Sequence, residues 1–546
     1  MPIIDEQIRT GSYARGPARP LLELTIGDLL ERTVDRYPDR LAVVSRHQER
    51  RLTWAELSAE ADRVARGLWS LGIRRGDRVG LWSTNCAEWI VMHMGCARAG
   101  AALVNVNPAY RSHELQFTLT RSRMKALFLW HKDKHADYEE ILGRARHGLD
   151  LKLEHTIYFD SPEWPALLDA EGRLPDHVAV DDVANIQYTS GTTGLPKGVM
   201  LTHHNVVNNG QFLAQGFHYT EQDKIVVPVP LFHCYGCVIG TMSAVNSGAA
   251  IILPNWTFDA RATRKAVHEE RATSVYGVPA MYVAEFGLDD FASYDTRSLR
   301  TGMMSGAPCP VELMKRVLEE MHCRELVIAY GQTETSPVVT MSDAGDSLEV
   351  RVNTVGRAMP QTDIKIASID TRETLPYGQQ GEVCVRGYAL MKGYDGDPEG
   401  TAQVIQADGW LRTGDLGVMR EDGCIHITGR SRDVIIRGGE NIYPREVEEF
   451  LYTHPKVGEV QVIGIPNARL GEIVVAWIRL RPGVEASEEE FREFCKGQIA
   501  YYKIPEHVRF VTEFPATLSG KIQKYKMREF EIEARGLQAV AKTATA

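Results

Sequence analysis

The sequence predicts an α/β fold. It combines a large N-terminal domain of α/β subdomains and a β-rich subdomain with a small α+β C-terminal domain. Three observations predict this. Between residues 53 and 330, short apolar strands alternate with amphipathic helices, the pattern of largely parallel sheets covered by helices. From about residue 355 the texture becomes short strands joined by Gly- and Pro-rich turns. After Gly429-Arg430 comes a stretch of about 115 residues with its own strands and helices, enough for a small domain. The boundary is expected at 430 to 433, dividing the chain into 1–430 and 431–546.

The elements follow in order. Thr53 and Glu56 form a capping box before Leu57, Ala61, Val64, Leu68 and Leu71, which share one helical face. Gly76-Asp77 turns into the strand Arg78–Trp82. A helix over Ala87–Ala97 leads to the strand Ala101–Asn105, and a helix over His113–Ser122 to the strand Ala126–Trp130. Ala184–Tyr188 reads as a strand, and His203 to about Leu213 as a helix. Strands are expected at Lys224–Pro228, Ala249–Leu253, Thr273–Tyr276 and Glu325–Tyr330, and helices at Ala260–Glu270 and from Pro310 to Met321. Asp363–Ala367 and Gly381–Arg386 are the β-rich strands. The last domain holds strands Val434–Ile436, Glu459–Ile463 and Ile473–Ile478. Its helix Pro444–Tyr452 has Pro in the first turn, and a further helix starts at Ser487 with Glu490 in the capping position.

Composition narrows the function. Of 546 residues, 44% are hydrophobic and 25% charged, as in ordinary globular proteins, and the net charge is -10. An acidic chain argues against a general affinity for nucleic acid. The nine cysteines are dispersed, which suits a reducing, cytoplasmic setting rather than a disulfide framework. Cys234 and Cys237 form one CxxC without a second pair at metal-ligand spacing, and are read as packing residues ahead of a zinc or redox role. The N-terminus lacks the apolar run of a secretory signal, and no segment approaches the ~20 apolar residues of a membrane span. Peripheral membrane contact and a homodimer stay open.

One loop carries chemistry. Tyr188-Thr-Ser-Gly-Thr-Thr-Gly-Leu-Pro-Lys-Gly198 joins ordered elements. Thr189, Ser190, Thr192 and Thr193 offer hydroxyls, Gly191, Gly194 and Gly198 permit close backbone approach, and Lys197 adds a charge. On chemistry alone it reads as a phosphate cradle or an exposed turn. The Walker A spacing cannot be threaded through it, which disfavours a P-loop kinase or ATPase.

The full string resembles the phosphate-loop signature of the adenylate-forming superfamily of acyl-CoA synthetases, peptide-synthetase adenylation domains and beetle luciferases. Further signatures follow in the right order: Tyr330-Gly-Gln-Thr-Glu334, Thr413-Gly-Asp415, Gly429-Arg430, Gly438-Gly-Glu-Asn-Ile442 and Leu518-Ser-Gly-Lys521. The resemblance covers nearly the whole chain. It implies that a carboxylic acid attacks the α-phosphate of ATP, pyrophosphate leaves, and a thiol then displaces AMP from the acyl-adenylate. ATP, Mg²⁺ and coenzyme A are the implied cofactors, and the partners are a small carboxylic acid and CoA.

Residue by residue, the resemblance makes Glu334 the Mg²⁺ carboxylate and Thr333 a hydroxyl near the α-phosphate. Tyr330, with Gly331, lies against adenine, and Gly306, Ala307 and Pro308 wall its other side. Asp415 is the ribose ligand and Arg430 a second nucleotide contact. Lys521 is the catalytic cation of adenylation. The family's small domain rotates between half-reactions about a pivot at Arg432, often Asp or Lys in relatives, and then presents Gly438 and Gly439 to line the thiol tunnel. His233 matches a gate between the acid site and the thiol path. Residues near Cys237, Tyr276–Met281, Ser305-Gly306 and Pro337-Val338 should line an acyl pocket of small and apolar character, which fits a fatty or aromatic acid better than an amino acid. A gating tryptophan of some long-chain relatives has no counterpart after His233. Strings such as Val106-Asn-Pro-Ala-Tyr110 look most like the medium-chain branch. Free CoA is the expected acceptor, with a separate carrier protein as the alternative.

Overall fold

The computed structural model describes residues 8–9, 11–134, 136–149, 151–175, 177–189, 196–307, 309–438, 440–467, 469–517 and 521–538. Two large sheets confirm the α/β reading. One has seven strands in the order Gly393–Tyr394, Lys197–Thr202, Val183–Thr189, Ala102–Val106, Arg78–Trp82, Ala126–Leu129 and His155–Tyr158. The five strands from Val183–Thr189 onward pair in parallel, and the first two are antiparallel additions. The second has nine strands. Its parallel centre joins Leu41–Ser45, Ala250–Leu253, Lys224–Val226, Ser274–Gly277, Thr301–Met304 and Glu325–Tyr330, and short antiparallel strands close both edges.

Local sequence explains most elements. The Thr53 hydroxyl accepts from Glu56 N, the Glu56 carboxylate accepts from Thr53 N, and the helix Trp54–Ser70 follows with Leu57, Ala61, Val64 and Leu68 buried. The helix Ala87–Ala99 is buried on every side, so it shows no amphipathic stripe. Its buried charges are paired: Glu88 accepts from Arg50 at 2.6 Å, and Arg98 pairs with Asp62. Val183–Thr189 and Lys197–Thr202 lie on either side of the glycine-rich loop, and the Thr202–Asn205 capping box starts the helix His203–Gly216.

The β-rich texture is a six-stranded sheet ordered Ile8–Arg9, Tyr13–Arg15, Thr362–Ala367, Gln380–Gly387, Leu411–Met419 and Ile425–Arg430. The C-terminal sheet orders Glu440–Ile442, Ile435–Arg437, Gly471–Leu480 and Val457–Asn467, with His507–Phe510 parallel to Gly471–Leu480. The helices Pro444–Tyr452 and Lys524–Ala534 pack on Val457–Asn467, and Glu488–Cys495 packs on His507–Phe510.

The chain forms two compact units. One contains Ala14–Ile364 and Val385–Arg412, and the other Lys365–Cys384 and the chain from Thr413 on. Ser431–Asp433, at the expected boundary, is a short helical turn inside the second unit. No helix among the described residues is long and apolar enough to cross a membrane.

Candidate active site

In the first unit, Thr189 pairs opposite Lys197 on two neighbouring antiparallel strands, which places both ends of the glycine-rich string side by side. Ser190, Gly191, Thr192, Thr193 and Gly194 fall outside the described residues. The Lys197 ammonium lies 3.8 Å from Asp397 Oδ2 and 4.7 Å from the centroid of the Tyr394 ring. The carboxylate is beyond hydrogen-bonding distance, so among the described residues no donor of this ammonium is committed.

Tyr330 ends a parallel strand, where open α/β sheets present their ligand-binding residues. The next ten residues fold back on that end. Val339 N donates to Tyr330 O at 2.9 Å, Thr335 N donates to Gln332 O at 2.8 Å, and the Thr335 hydroxyl reaches Pro337 O at 3.1 Å. Glycine is required at 331 by contact: a Cβ there would sit 1.9 Å from Pro337 O. The closed turn projects Thr333 and Glu334. Tyr394 donates its hydroxyl to Glu334 Oε1 at 2.9 Å. Glu334 is half-buried, and its other oxygen has no partner among the described residues. On the neighbouring strand end, Ser305 donates to Ala329 O at 2.6 Å, and Gly306 and Ala307 follow, Gly306 exposed and Ala307 half-buried. Pro308 lies outside the described residues.

His233 enters beside this turn. Its Nδ1 accepts from Tyr235 N at 3.1 Å and lies 3.5 Å from Cys234 Sγ. Cys234 Sγ lies 3.6 Å from the Thr333 hydroxyl. Both CxxC thiols are buried, and burial pushes the Cys234 thiol up to about 12 and raises that of Cys237 as well. Cys237 Sγ accepts from Gln187 Nε2 at 3.2 Å, while Asn105 Nδ2 donates to Phe232 O at 2.8 Å and Asn185 Nδ2 to Asn105 Oδ1 at 2.9 Å. The thiols are buried packing and hydrogen-bonding groups. With the strand amides they hold the segment from Phe232 into the π-helical turn Tyr235–Met242.

The second unit gathers the later motifs. Asp415 and Arg430 are Cα partners on adjacent strands, with Arg430 Nε 2.9 Å from the buried Asp415 Oδ1. Asp415 N donates to the Thr413 hydroxyl at 3.1 Å, and Gly414 N to Glu382 Oε1 at 3.1 Å, which fixes the Thr413-Gly-Asp415 turn. Arg437 pairs with Glu440 across antiparallel strands, with Gly438 and Gly439 between them in sequence. Gly438 has φ +60°, a left-handed conformation that favours glycine, and Gly439 lies outside the described residues. Lys521 follows another turn: Thr517 N donates to Lys521 O at 2.8 Å, and Lys521 N to the Thr517 hydroxyl at 3.1 Å. Three residues on, Lys524 pairs with Glu448, 2.6 Å away and buried, at the start of the last helix.

Sequence comparison decides what these turns belong to. Residues 30–395 match the AMP-binding enzyme family, and residues 446–521 match the AMP-binding enzyme C-terminal domain. The chain belongs to the AMP-binding enzyme family. It is 45% identical over 545 residues to YngI of Bacillus subtilis, whose name assigns it provisionally to the acyl-CoA synthetases, covering 95% of this chain and 99% of that one. It is 40% identical over 549 residues to the medium-chain acyl-CoA ligase ACSF2 of Bos taurus, a mitochondrial protein, covering 95% and 89%. Among solved structures, ATP-bound MatB from Rhodopseudomonas palustris superposes with a TM-score of 0.84 at 29% identity, covering 93% and 99%. This AMP-binding enzyme is an AMP-forming acyl-CoA synthetase that uses ATP and CoA.

Within the first unit, the structure brings together Lys197, Thr333, Glu334 and His233 through Tyr394 and Cys234. Tyr330, Gly331, Gly306 and Ala307 stand at neighbouring strand ends. Within the second, it brings together Asp415 and Arg430, while Gly438 and Lys521 occupy separate turns. Sequence reasoning missed Tyr394, Asp397, Asn105, Gln187 and the Lys524–Glu448 pair. The turn signal Gly393-Tyr-Asp-Gly-Asp-Pro398 was there to be read, but its partners are remote in sequence. Mg²⁺ is hard and oxygen-seeking. Glu334 suits it, with one carboxylate oxygen hydrogen-bonded and the other without a described partner.

Proposed function

We propose that the enzyme activates a medium-chain fatty acid as its acyl-adenylate and transfers the acyl group to CoA, releasing pyrophosphate and then AMP. The observation that carries this is the 40% identity to a medium-chain acyl-CoA ligase over 95% of the chain. The proposed acyl-pocket residues support it: Cys237, Tyr276, Val278, Met281 and Val338 are buried and uncharged. Such a wall favours an alkyl chain and offers an amine no ionic partner.

The residue roles proposed are those that the family's motifs imply. Thr189 and Lys197, with the loop between them, take the phosphates of ATP. Glu334 holds Mg²⁺, which when bound neutralises phosphate charge, and Thr333 presents its hydroxyl toward the α-phosphate. Tyr330 flanks adenine opposite Gly306–Pro308. Asp415 accepts from the ribose hydroxyls, and Arg430, ion-paired with it, is a second nucleotide contact. Lys521 neutralises the charge that develops as the acid's carboxylate attacks the α-phosphate. For thioester formation, the Gly438-Gly439 pair lines the thiol path. His233, whose Nδ1 accepts from Tyr235 N, gates that path. The domains that carry these roles are 1–430 and 431–546, with Arg432 as pivot. Nine free, buried cysteines fit a reducing cytoplasm.

The test is AMP release with Mg²⁺-ATP across saturated acids of rising length and benzoate, with CoA or holo-carrier protein as acceptor and products identified by mass. A maximum at medium chain length with CoA is expected. A benzoate maximum, or acylation of the carrier alone, overturns the reading.

A further inference from the structure

The segment Gly393–Asp397 reaches two parts of the candidate site at once. Its strand, Gly393–Tyr394, pairs antiparallel with Lys197–Thr202, with Tyr394 opposite Val199. Asp395 N donates to Gly198 O at 2.7 Å, and the buried Asp395 carboxylate takes two bonds from Arg78, at 2.7 and 3.0 Å. Asp397 caps the helix Pro398–Val404 and faces Lys197 at 3.8 Å. Between these anchors stands Tyr394, only 7% exposed. Its hydroxyl donates to Glu334 Oε1 at 2.9 Å, and its ring face lies 4.7 Å from the Lys197 ammonium. One side chain therefore touches both the lysine of the phosphate loop and the carboxylate of the Tyr330–Glu334 turn.

We propose that Tyr394 is a positioning residue that aims the free oxygen of Glu334 at the metal of Mg²⁺-ATP and holds Lys197 in register with it. This rests on the reading of Glu334 as the metal carboxylate. A hydrogen bond on one oxygen fixes the rotation of a ligating carboxylate and directs its other oxygen, and loss of such an outer partner typically costs about 10 to 100-fold in metal affinity. The ring contributes separately. An ammonium over a tyrosine face is attracted to it without spending a hydrogen-bond donor. Lys197 is thus located without a hydrogen bond to any described residue, which leaves its N–H donors for phosphate oxygens. The Arg78–Asp395 clamp makes the support rigid, because the tyrosine's neighbour is pinned to the central sheet strand Arg78–Trp82.

The two contacts are separable. Tyr394→Phe removes the hydroxyl and keeps the ring, while Tyr394→Leu removes both. The experiment is calorimetric titration of each full-length variant with ATP in EDTA and with ATP in Mg²⁺, alongside thermal melting. In the parent enzyme Mg²⁺ tightens ATP binding by some factor. Tyr394→Phe is expected to cut that factor about tenfold while leaving metal-free ATP binding within twofold. Tyr394→Leu is expected to weaken metal-free ATP binding also. Glu334→Gln serves as the reference and should abolish the Mg²⁺ factor. If Glu334→Gln keeps the factor, the metal role of Glu334 fails. If Glu334→Gln loses it and Tyr394→Phe does not, the positioning role of Tyr394 is overturned. Should Tyr394→Leu fail to melt cooperatively, Tyr394→Phe alone still decides.

Discussion

Replacing Gly331 by alanine should disable adenylation without unfolding the enzyme. The added methyl would sit 1.9 Å from Pro337 O, whereas carbon–oxygen contacts in proteins settle at about 3.3 to 3.6 Å. The two atoms must therefore part by roughly 1.4 Å or more. Pro337 O cannot simply retreat. It accepts from the Thr335 hydroxyl, Thr335 is bonded to Gln332 O, and Val339 N is bonded to Tyr330 O. The displacement is passed to the turn between them, which carries Thr333 and Glu334. Misplacing catalytic groups by about 1 Å costs on the order of 10²-fold, or about 2.7 kcal/mol of transition-state stabilisation. Overpacking of this kind costs about 1 to 3 kcal/mol in stability. The assay is acid-dependent ATP–pyrophosphate exchange well below the melting transition, with melting followed separately. Exchange within threefold of the parent, at an unchanged Tm, would refute the argument that the 330–339 turn is rigid and positions the site.

Two further outcomes are expected. Lys521→Ala should lower adenylation by at least about 10²-fold, the usual effect of removing one group aimed at developing charge, while ATP binding and CoA transfer from supplied acyl-adenylate persist; equal loss in both half-reactions removes its assigned role. Acid should unfold the enzyme through His93 and His203, whose imidazoles burial holds neutral, pushed down to about 3 and about 4. The unfolded chain binds their protons below pH 6.5 and the folded chain does not, so stability is lost as pH falls from 6.5 toward 4, by about 2 kcal/mol per imidazole at pH 5. Denaturant melts at pH 7, 6 and 5 test this, and a flat profile for the parent, or an equally steep one for His203→Gln, argues against it.

Much of the fold was legible because its signals are local. Ala260–Glu270, Glu325–Tyr330 and Pro444–Tyr452 have the expected ends, since a cap, a turn or a proline marks each one. The π-helical turn Tyr235–Met242 has no local mark. Eight buried residues there are held by distant partners, with the Tyr235 hydroxyl on Gly277 O at 3.1 Å and on Met303 O at 3.0 Å. The last helix, Lys524–Ala534, was missed for a similar reason. Its charged sequence looks solvent-facing, yet Lys524 pairs with buried Glu448, Arg528 with Glu472, and buried Glu531 with Arg509, Arg535 and Trp477 Nε1.

The candidate site divides along the same line. The groups proposed to meet the nucleotide stand close together in sequence, so Tyr330–Glu334, Thr413–Asp415 and Leu518–Lys521 stand out as strings. Groups that position them work across the fold. Tyr394 meets Glu334 from sixty residues away, Gln187 meets Cys237 from fifty, and Glu448 meets Lys524 from seventy-six. No spacing in the chain advertises such pairs, because each needs only one compatible side chain at each end. Recognition of ligand is therefore written in contiguous sequence, and the stiffness that makes recognition catalytic is written in contacts. A turn can keep every residue of its motif and still fail if a distant partner is lost. This is why Tyr394→Phe, one oxygen removed from a residue in no recognised motif, is the sharper probe of the site than any change within the strings.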